Sequence, residues 1–347
     1  MNQKTGAKET AGLVTVLIFN GFMLGETASA VRHFATGSWI AILVVTFAGV
    51  LVMHFCGSVV ASVGIRSLVS AAFGRYAVIG AGIVLFVATV LNASHTMSVL
   101  TNAVGEVVLP NSPRVFIIYV ASGAALAVCL LGPEAITRYG LVLGIVLPLA
   151  LVGVALFSAN RWQGINLFPL LGRWSLRGVT GAFASFGNAL YFFAASSHIK
   201  DTGSIRPAAV SSVLTAGIMA SSLCLAYLLC VPYPAGQTFD YPFYRLALMA
   251  NSSVVFQRPD GFVFILWILT GFVSAGALTL FAARILGATL NLKNHRAISF
   301  GVVYLCLALT MADVSFGVWG RYVAAFGVFV FLPITCIIYK IRRPRND

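Results

Sequence analysis

The chain has 347 residues, of which 59% are hydrophobic and 9% are charged, and its formal net charge is +13. Soluble globular proteins contain about 25% charged residues, so this composition excludes a soluble protein and indicates a polytopic membrane protein. The lysines and arginines lie singly between apolar runs and form no basic stripe, which excludes a nucleic-acid-binding protein. We expect one integral membrane domain over residues 1–347.

Ten apolar runs have a length that suits membrane-spanning helices. A hydrocarbon core of about 30 Å needs roughly 20 apolar residues per helix. The runs lie at 11–31, 39–64, 77–104, 114–132, 139–159, 179–199, 207–231, 260–283, 298–312 and 318–340. All six cysteines fall within these runs without a Cys-x-x-Cys pair, so we interpret them as small buried hydrophobic residues. The pattern predicts an all-α fold of about ten transmembrane helices.

The basic residues indicate the orientation in the membrane. Ten spans place both termini on one side, and 14 of the 22 Lys and Arg then lie on that side. Because cytoplasmic loops carry an excess of Lys and Arg, both termini are predicted to be cytoplasmic. Two long loops lie on the opposite side, at 160–178 and 231–260, and a short amphipathic helix is predicted at Tyr244–Met249 within the second.

Two of the runs contain helix-weakening residues near mid-depth. In the first, the stretch 20–25 holds Gly21 and Gly25 and lies roughly 14–21 Å from the inner end. In the sixth, Gly187 and Asn188 approach a similar depth. Spans one and six are equivalent in a fold of two inverted five-helix repeats, where paired broken helices indicate a transporter binding site. Close helix packing at glycine is the alternative for either stretch alone.

Glu26 follows the first break and lies well inside a predicted span. A buried charged carboxylate is costly, so an intramembrane acid is by default a functional-site hypothesis. Three roles stay open: it would carry a coupling proton, pair with a substrate amine, or line an outer vestibule. Alternatively, it lies close enough to the outer interface to stay hydrated near Arg32.

Polar residues also share faces of spans three and eight. Asn92 and His95 lie three residues apart, so His95 is either a proton relay or a satisfied interhelical hydrogen-bond partner. Trp267, Thr270 and Ser274 form one stripe in span eight. The two hydroxyls either line a binding site or bond back to their own helix.

An acidic and a basic residue begin span five. Glu134 and Arg138 lie four residues apart in the favourable order, which indicates either helix-end electrostatics or an inner gate. The sequence contains no nucleophile elbow, phosphate loop or metal-ligand spacing. We therefore expect neither an enzyme nor a metal or cofactor site.

Motifs from span four to span eight resemble, in order, those of the spore germination permease family. These are the B-type integral membrane subunits of endospore germinant receptors, in the amino acid/polyamine/organocation transporter superfamily. The segments that carry the resemblance are GPEAITRYG at 132–140, with Gly132, Glu134 and Arg138, INLFPLLG at 165–172, with Asn166, Leu167 and Pro169, YPFYRLAL at 241–248, and FQRPDGFVFILW at 256–267.

The resemblance implies a subunit that senses a small nutrient, commonly an amino acid, in the inner membrane of a spore. It also implies two partners, a lipoprotein subunit and a larger membrane subunit with soluble domains. The implied ligand pocket lies between spans one, three, six and eight. Its substrate-binding candidates are Gly21, Gly25, Asn92, Gly187, Asn188 and Thr270. The candidates for coupling or gating are Glu26, His95, Glu134, Arg138 and Ser274.

One position departs from the family pattern. The family has an acidic residue after Phe-Gly in span six, and Asn188 stands there in this chain. If that acid serves proton coupling or amine binding in relatives, the role has passed to a residue such as Glu26 or is lost. The first alternative function is a proton- or sodium-coupled secondary transporter of amino acids or amines. The second is a structural subunit that assembles its partners and binds no ligand.

Overall fold

The structure is a computed structural model that describes residues 5–197, 199, 201–250, 259–292, 295–313 and 317–342. The helices of the first half are α1 (Ala7–Gly21), α2 (Thr27–Phe34), α3 (Ser38–Val63), α4 (Ile65–Phe73), α5 (Arg75–Val107), α6 (Arg114–Leu131), α7 (Pro133–Ser158), α8 (Leu176–Ser185) and α9 (Leu190–Ser196). Those of the second half are α10 (Ile205–Cys230), α11 (Tyr233–Gly236), α12 (Pro242–Met249), α13 (Pro259–Leu290), α14 (His295–Met311), α15 (Gly317–Phe326) and α16 (Leu332–Arg342).

These helices reproduce the ten predicted runs in order. Among the described residues, seven helical segments are long and apolar enough to cross a membrane, and one of them, Ala7–Val63, contains the first two runs. The sixth run is divided into the short helices α8 and α9, and the ninth is the shorter apolar helix α14. The predicted all-α membrane protein with broken first and sixth spans is therefore confirmed.

The connections also follow the sequence pattern. The predicted short helix in the second long loop is α12, which begins at Pro242 because proline suits the first helical turn. In the first long loop, Trp162, Phe168 and Trp174 are exposed, as expected of a segment at the membrane surface. Of the motif at 256–267, residues 256–258 lie outside the described part of the chain.

Two helix crossings at small residues position the centre of the protein. Where α1 crosses α7, a Cβ added to Gly140 would lie 2.5 Å from the Leu13 Cα. Where α15 crosses α5, a Cβ added to Gly320 would lie 2.4 Å from the Ala88 carbonyl oxygen. Small residues allow such close approach of helix backbones in membranes. The crossings hold α1 against α7 and the first turn of α15 against the middle of α5.

Candidate functional site

The first span breaks where the sequence placed two glycines and a carboxylate. Helix α1 ends at Gly21, a five-residue π-helical turn covers Phe22–Glu26, and α2 begins at Thr27. Within the turn, Gly25 has φ +148°, a backbone conformation that other residues rarely adopt. The regular hydrogen bonding of the helix is therefore interrupted at this turn, where the Thr27 hydroxyl donates to the Phe22 carbonyl oxygen at 2.9 Å.

The sixth span breaks at a corresponding depth. Helix α8 ends at Ser185, a single 3-10 turn covers Gly187–Ala189, and α9 follows. A Cβ on Gly187 would lie 2.7 Å from the Arg321 carbonyl oxygen, so this glycine permits the close approach of α15. The two breaks and the adjoining helices α5, α13 and α15 enclose a cavity of about 300 Å³.

Seven of the eleven predicted site residues line this cavity. They are Gly21, Gly25, Glu26, Asn92, His95, Asn188 and Ser274. Of the four others, Gly187 packs against α15, and Thr270 is fully buried with its hydroxyl donating to the Leu266 carbonyl oxygen of its own helix. For Thr270, the bond back to the helix therefore replaces the predicted contact with a ligand.

The remaining two predicted residues lie away from the cavity. Arg138 donates to the Glu134 carboxylate at 2.6 Å, and their side chains are 67% and 39% exposed. Such an exposed pair four residues apart contributes a few tenths of a kcal/mol. The structure thus places it at the start of α7 as helix-end electrostatics, and it has no contact with the cavity.

The charged groups of the cavity form one connected network. The Ser185 hydroxyl donates to Glu26 Oε2 at 2.7 Å, and the other Glu26 oxygen forms an ion pair with Arg321. Arg321 also contacts Nε2 of His95, an arrangement that requires this ring nitrogen to accept the hydrogen bond. The side chains of Glu26 and Arg321 are only 14% and 16% exposed, so each depends on the other for compensation of its charge.

Arg321 is a residue of the site that the sequence analysis does not single out. It lies inside the predicted tenth run, 318–340, and an arginine there could have been treated as an intramembrane charge in the same way as Glu26. Glu26 does not pair with Arg32, which forms an ion pair with Asp240 instead.

A second, uncharged network joins the two breaks to α5. Asn92 Nδ2 donates to Asn188 Oδ1 at 2.7 Å, and Asn188 Nδ2 donates to the Leu17 carbonyl oxygen at 2.9 Å. The Tyr191 hydroxyl lies 3.4 Å from the same Asn92 nitrogen. Asn188 therefore uses both ends of its amide, a role that a carboxylate at this position could not fill because it cannot donate when ionised.

Several polar atoms of the cavity residues have no hydrogen-bond partner within the described part of the chain. They are Asn20 Oδ1, Asn92 Oδ1, Ser274 Oγ and Arg321 Nε. Buried polar atoms in proteins are paired in the great majority of cases, because an unpaired one costs free energy. Three of these atoms can accept a hydrogen bond, and one carries a positively charged N–H. They define the chemistry that a bound ligand or water would satisfy.

The loop before α13 covers the break in the first span. The Arg32 Nε donates to the Gln237 carbonyl oxygen at 3.0 Å, and its guanidinium pairs with Asp240. A Cβ on Gly25 would lie 3.8 Å from the Asp240 carbonyl oxygen. The segment that includes α11 and α12 is thus fastened to α2 directly beside the cavity.

We expect the substitution Asn188→Leu to lower the free energy of unfolding by about 1–3 kcal/mol, because it removes the partners of Asn92 and of the Leu17 carbonyl from a buried network. Thermal or denaturant unfolding of the purified protein in detergent measures this. Asn166→Leu is the matched control: the Asn166 amide donates to the Leu229 carbonyl at 3.2 Å in a partly exposed loop where water can replace it. Equal losses in the two variants would contradict the role of Asn188.

Comparisons with known proteins agree with this fold. A family model described as a spore germination protein matches residues 10–315. None of the curated proteins matches the chain significantly. Among solved structures, the chain is similar to Mhp1, a nucleobase-cation-symport-1 family transporter in a closed conformation with bromovinylhydantoin bound. The TM-score is 0.66 at 12% identity, over 97% of this chain and 78% of that chain.

A second structure is a mutant of the Eremococcus coleocola manganese transporter, with a TM-score of 0.58 at 13% identity over 95% of this chain and 76% of that chain. For the same transporter in complex with an aromatic bis-isothiourea substituted compound, the TM-score is 0.54 at 14% identity, over 96% of this chain and 78% of that chain. These likenesses establish the fold: two inverted five-helix repeats with broken helices one and six, as predicted. The family and the fold neighbours are membrane permeases and transporters rather than enzymes.

Proposed function

The chain belongs to the spore germination protein family, and we propose that it is a germinant-sensing membrane subunit that binds an amino acid in the cavity between its broken helices. The observation that carries this proposal is the pairing of Glu26 with Arg321 at the wall of that cavity. The two charges compensate each other, so the site favours a ligand without net charge. An amino acid zwitterion has no net charge and carries one group of each sign.

The unpaired polar atoms support this ligand class. Arg321 Nε offers a charged donor to a carboxylate, and the oxygens of Asn20, Asn92 and Ser274 offer acceptors to an ammonium group. A cavity of about 300 Å³ is at the small end of ligand sites, which suits a small nutrient. The presence of Arg321 disfavours a free metal cation, although fold neighbours include a manganese transporter.

In this proposal, the ligand acts by shifting a conformational population. A ligand that contacts both breaks and α5 would favour the state in which these elements lie close together. The covering segment fastened by Arg32 and Asp240 would close over it. The change would pass to the proposed partners, a lipoprotein subunit and a larger membrane subunit, in the inner membrane of the spore. Both termini would face the cytoplasm, in keeping with the distribution of basic residues.

One observation favours a second candidate function, a proton- or sodium-coupled transporter of amino acids or amines. Glu26 lines the cavity, and its carboxylate has a hydroxyl and a guanidinium as partners, both of which can be exchanged for ligand groups. An intramembrane carboxylate of this kind can carry a coupling proton. The transporters that share the fold support the same possibility.

A paired measurement on the purified chain in liposomes distinguishes these functions. We expect saturable equilibrium binding of at least one amino acid from a panel of the twenty, without accumulation inside the vesicles under a pH or sodium gradient. Accumulation that collapses when the gradient is dissipated would instead establish a transporter. An absence of both binding and uptake would contradict both proposals and favour a subunit that only assembles its partners.

A further inference from the structure

A second and larger cavity lies nearer the side of the termini. It has a volume of about 880 Å³ and shares no lining residue with the first cavity. Its walls come from the short helix α4, from parts of α1, α5, α7 and α13, and from α9, α15 and α16. Most of the lining is apolar, for example Leu85, Leu190, Leu280, Phe281 and Phe326.

Two arginines lie at this cavity without a partner. Arg66, in the first turn of α4, and Arg284, in α13, both line it, and neither has a hydrogen bond or ion pair among the described residues. No Asp or Glu of the described residues lines the cavity. Arg66 is exposed and Arg284 is half-buried, and no acidic side chain in the described lining compensates the positive charge that the two give the cavity.

The positions of charged and apolar lining residues along α13 indicate the shape of an occupant. Arg284 lies six residues before the end of α13 at Leu290, which is about 9 Å along the helix axis. Ala277 lies a further seven residues, or about 10 Å, towards the middle of the membrane, and it also lines the cavity. Arg284 is therefore near headgroup depth, and the apolar lining towards Ala277 extends into the hydrocarbon region.

We propose that this cavity binds an anionic phospholipid of the leaflet on the side of the termini. Its phosphate would lie on Arg66 and Arg284, and one acyl chain would lie along the apolar walls. Basic pockets between transmembrane helices bind anionic headgroups in this way. A path for a polar solute would leave the solute without hydrogen-bond partners along most of these walls, whereas an acyl chain needs none.

Native mass spectrometry tests the proposal on the full chain in mixed micelles of phosphatidylglycerol and phosphatidylcholine with identical acyl chains. We expect the phosphatidylglycerol-bound species to dominate. Arg66→Gln and Arg284→Gln should each reduce the ratio of bound phosphatidylglycerol to phosphatidylcholine about fivefold, the effect of roughly 1 kcal/mol per basic residue. Arg75→Gln is the matched control, since this exposed arginine begins α5 on the same side and does not line the cavity.

A steric variant tests the apolar part. A Cβ on Gly80 would meet no atom within 4 Å, and Gly80 lines the cavity, so Gly80→Leu should displace lipid without a clash in the fold. Gly123→Leu adds the same side chain at an equally open position of α6 outside the cavity and should leave lipid binding unchanged. Equal binding of both lipids, or Arg66→Gln and Arg284→Gln variants that behave like the Arg75 variant, would overturn the proposal. So would a Gly80 variant that blocks amino-acid binding and leaves lipid retention unchanged.

Discussion

Replacing Arg321 by alanine is expected to lower the free energy of unfolding by roughly 3–5 kcal/mol and to abolish ligand binding. The substitution leaves Glu26, only 14% exposed, as an uncompensated carboxylate inside the membrane. Removing one partner of a buried ion pair has an effect of this size, because the remaining charge has lost both water and its counter-ion. Unfolding of the purified protein and equilibrium amino-acid binding measure the two effects.

The control is an ion pair of the same residue types in an exposed place. Arg32 and Asp240 have side chains that are 45% and 63% exposed, so Arg32→Ala is expected to cost no more than about 1 kcal/mol. Similar losses for the Arg321 and Arg32 variants would show that the pair at the cavity is hydrated and contributes little.

A double-mutant cycle separates the pair from its surroundings. Glu26→Gln leaves the Arg321 guanidinium without its counter-ion, whereas the double variant Glu26→Gln with Arg321→Gln removes both members of the ion pair. We expect the double variant to be more stable than either single variant, since neither member of a neutral pair is an uncompensated buried charge. Additive single effects would mean that the two side chains do not interact, because only coupled sites deviate from additivity.

The same variants bear on function. If the Glu26–Arg321 pair sets the neutral charge preference of the cavity, Glu26→Gln should shift binding towards anionic ligands. If Glu26 instead carries a coupling proton, that variant should retain binding and lose gradient dependence. Ligand binding and gradient dependence of the Glu26→Gln variant therefore distinguish the two proposed functions.

Much of the fold could be predicted from the sequence because its signals are local. Long apolar runs, their flanking basic residues and paired glycine-containing breaks each depend on neighbouring residues. The break at Gly25 and the shared face of Asn92 and His95 were accessible in this way, and both are found in the cavity lining.

The pairing of distant groups could not be predicted. Arg321 lies 295 positions beyond Glu26, and its guanidinium reaches the carboxylate because α15 packs against α5 at Gly320 and against the second break at Gly187. Thr270 shows the reverse case: its spacing suggested a site hydroxyl, but the rotation of α13 buries it against its own helix while Ser274, one turn away, lines the cavity. Local periodicity predicts which residues share a face of a helix, whereas the packing of neighbouring helices determines the groups that this face contacts.

The second large effect is expected at Gly25. We expect Gly25→Ala to lower the free energy of unfolding by about 1–3 kcal/mol and to weaken ligand binding by tenfold or more. The cause is the backbone: φ of +148° is strained for any side chain, and relaxing that strain would change the turn Phe22–Glu26 that orients the carboxylate.

Gly21→Ala is the matched control in the same break. Gly21 has helical φ and ψ of −57° and −44°, and a Cβ there would meet only the Glu26 Cγ, at an ordinary 3.4 Å. Gly21→Ala adds the same methyl group to the same cavity without backbone strain. The free energy of unfolding should therefore stay within about 0.5 kcal/mol of the parent, and ligand affinity within about twofold. The bulkier Gly25→Trp should insert into the membrane normally and show no ligand response.

The comparison of the two alanine variants distinguishes three roles of the glycines: helix packing, cavity volume and backbone conformation. If both are tolerated, the stretch works as a packing surface, and the broken helix does not need the conformation at Gly25. If both are harmful, added volume in the cavity is the cause, and the site is tighter than about 300 Å³ suggests. The two variants add the same methyl group, and the two positions differ in backbone φ. A loss of stability and binding in the Gly25 variant alone would therefore support a turn whose unusual backbone conformation holds Glu26 against Ser185 and Arg321.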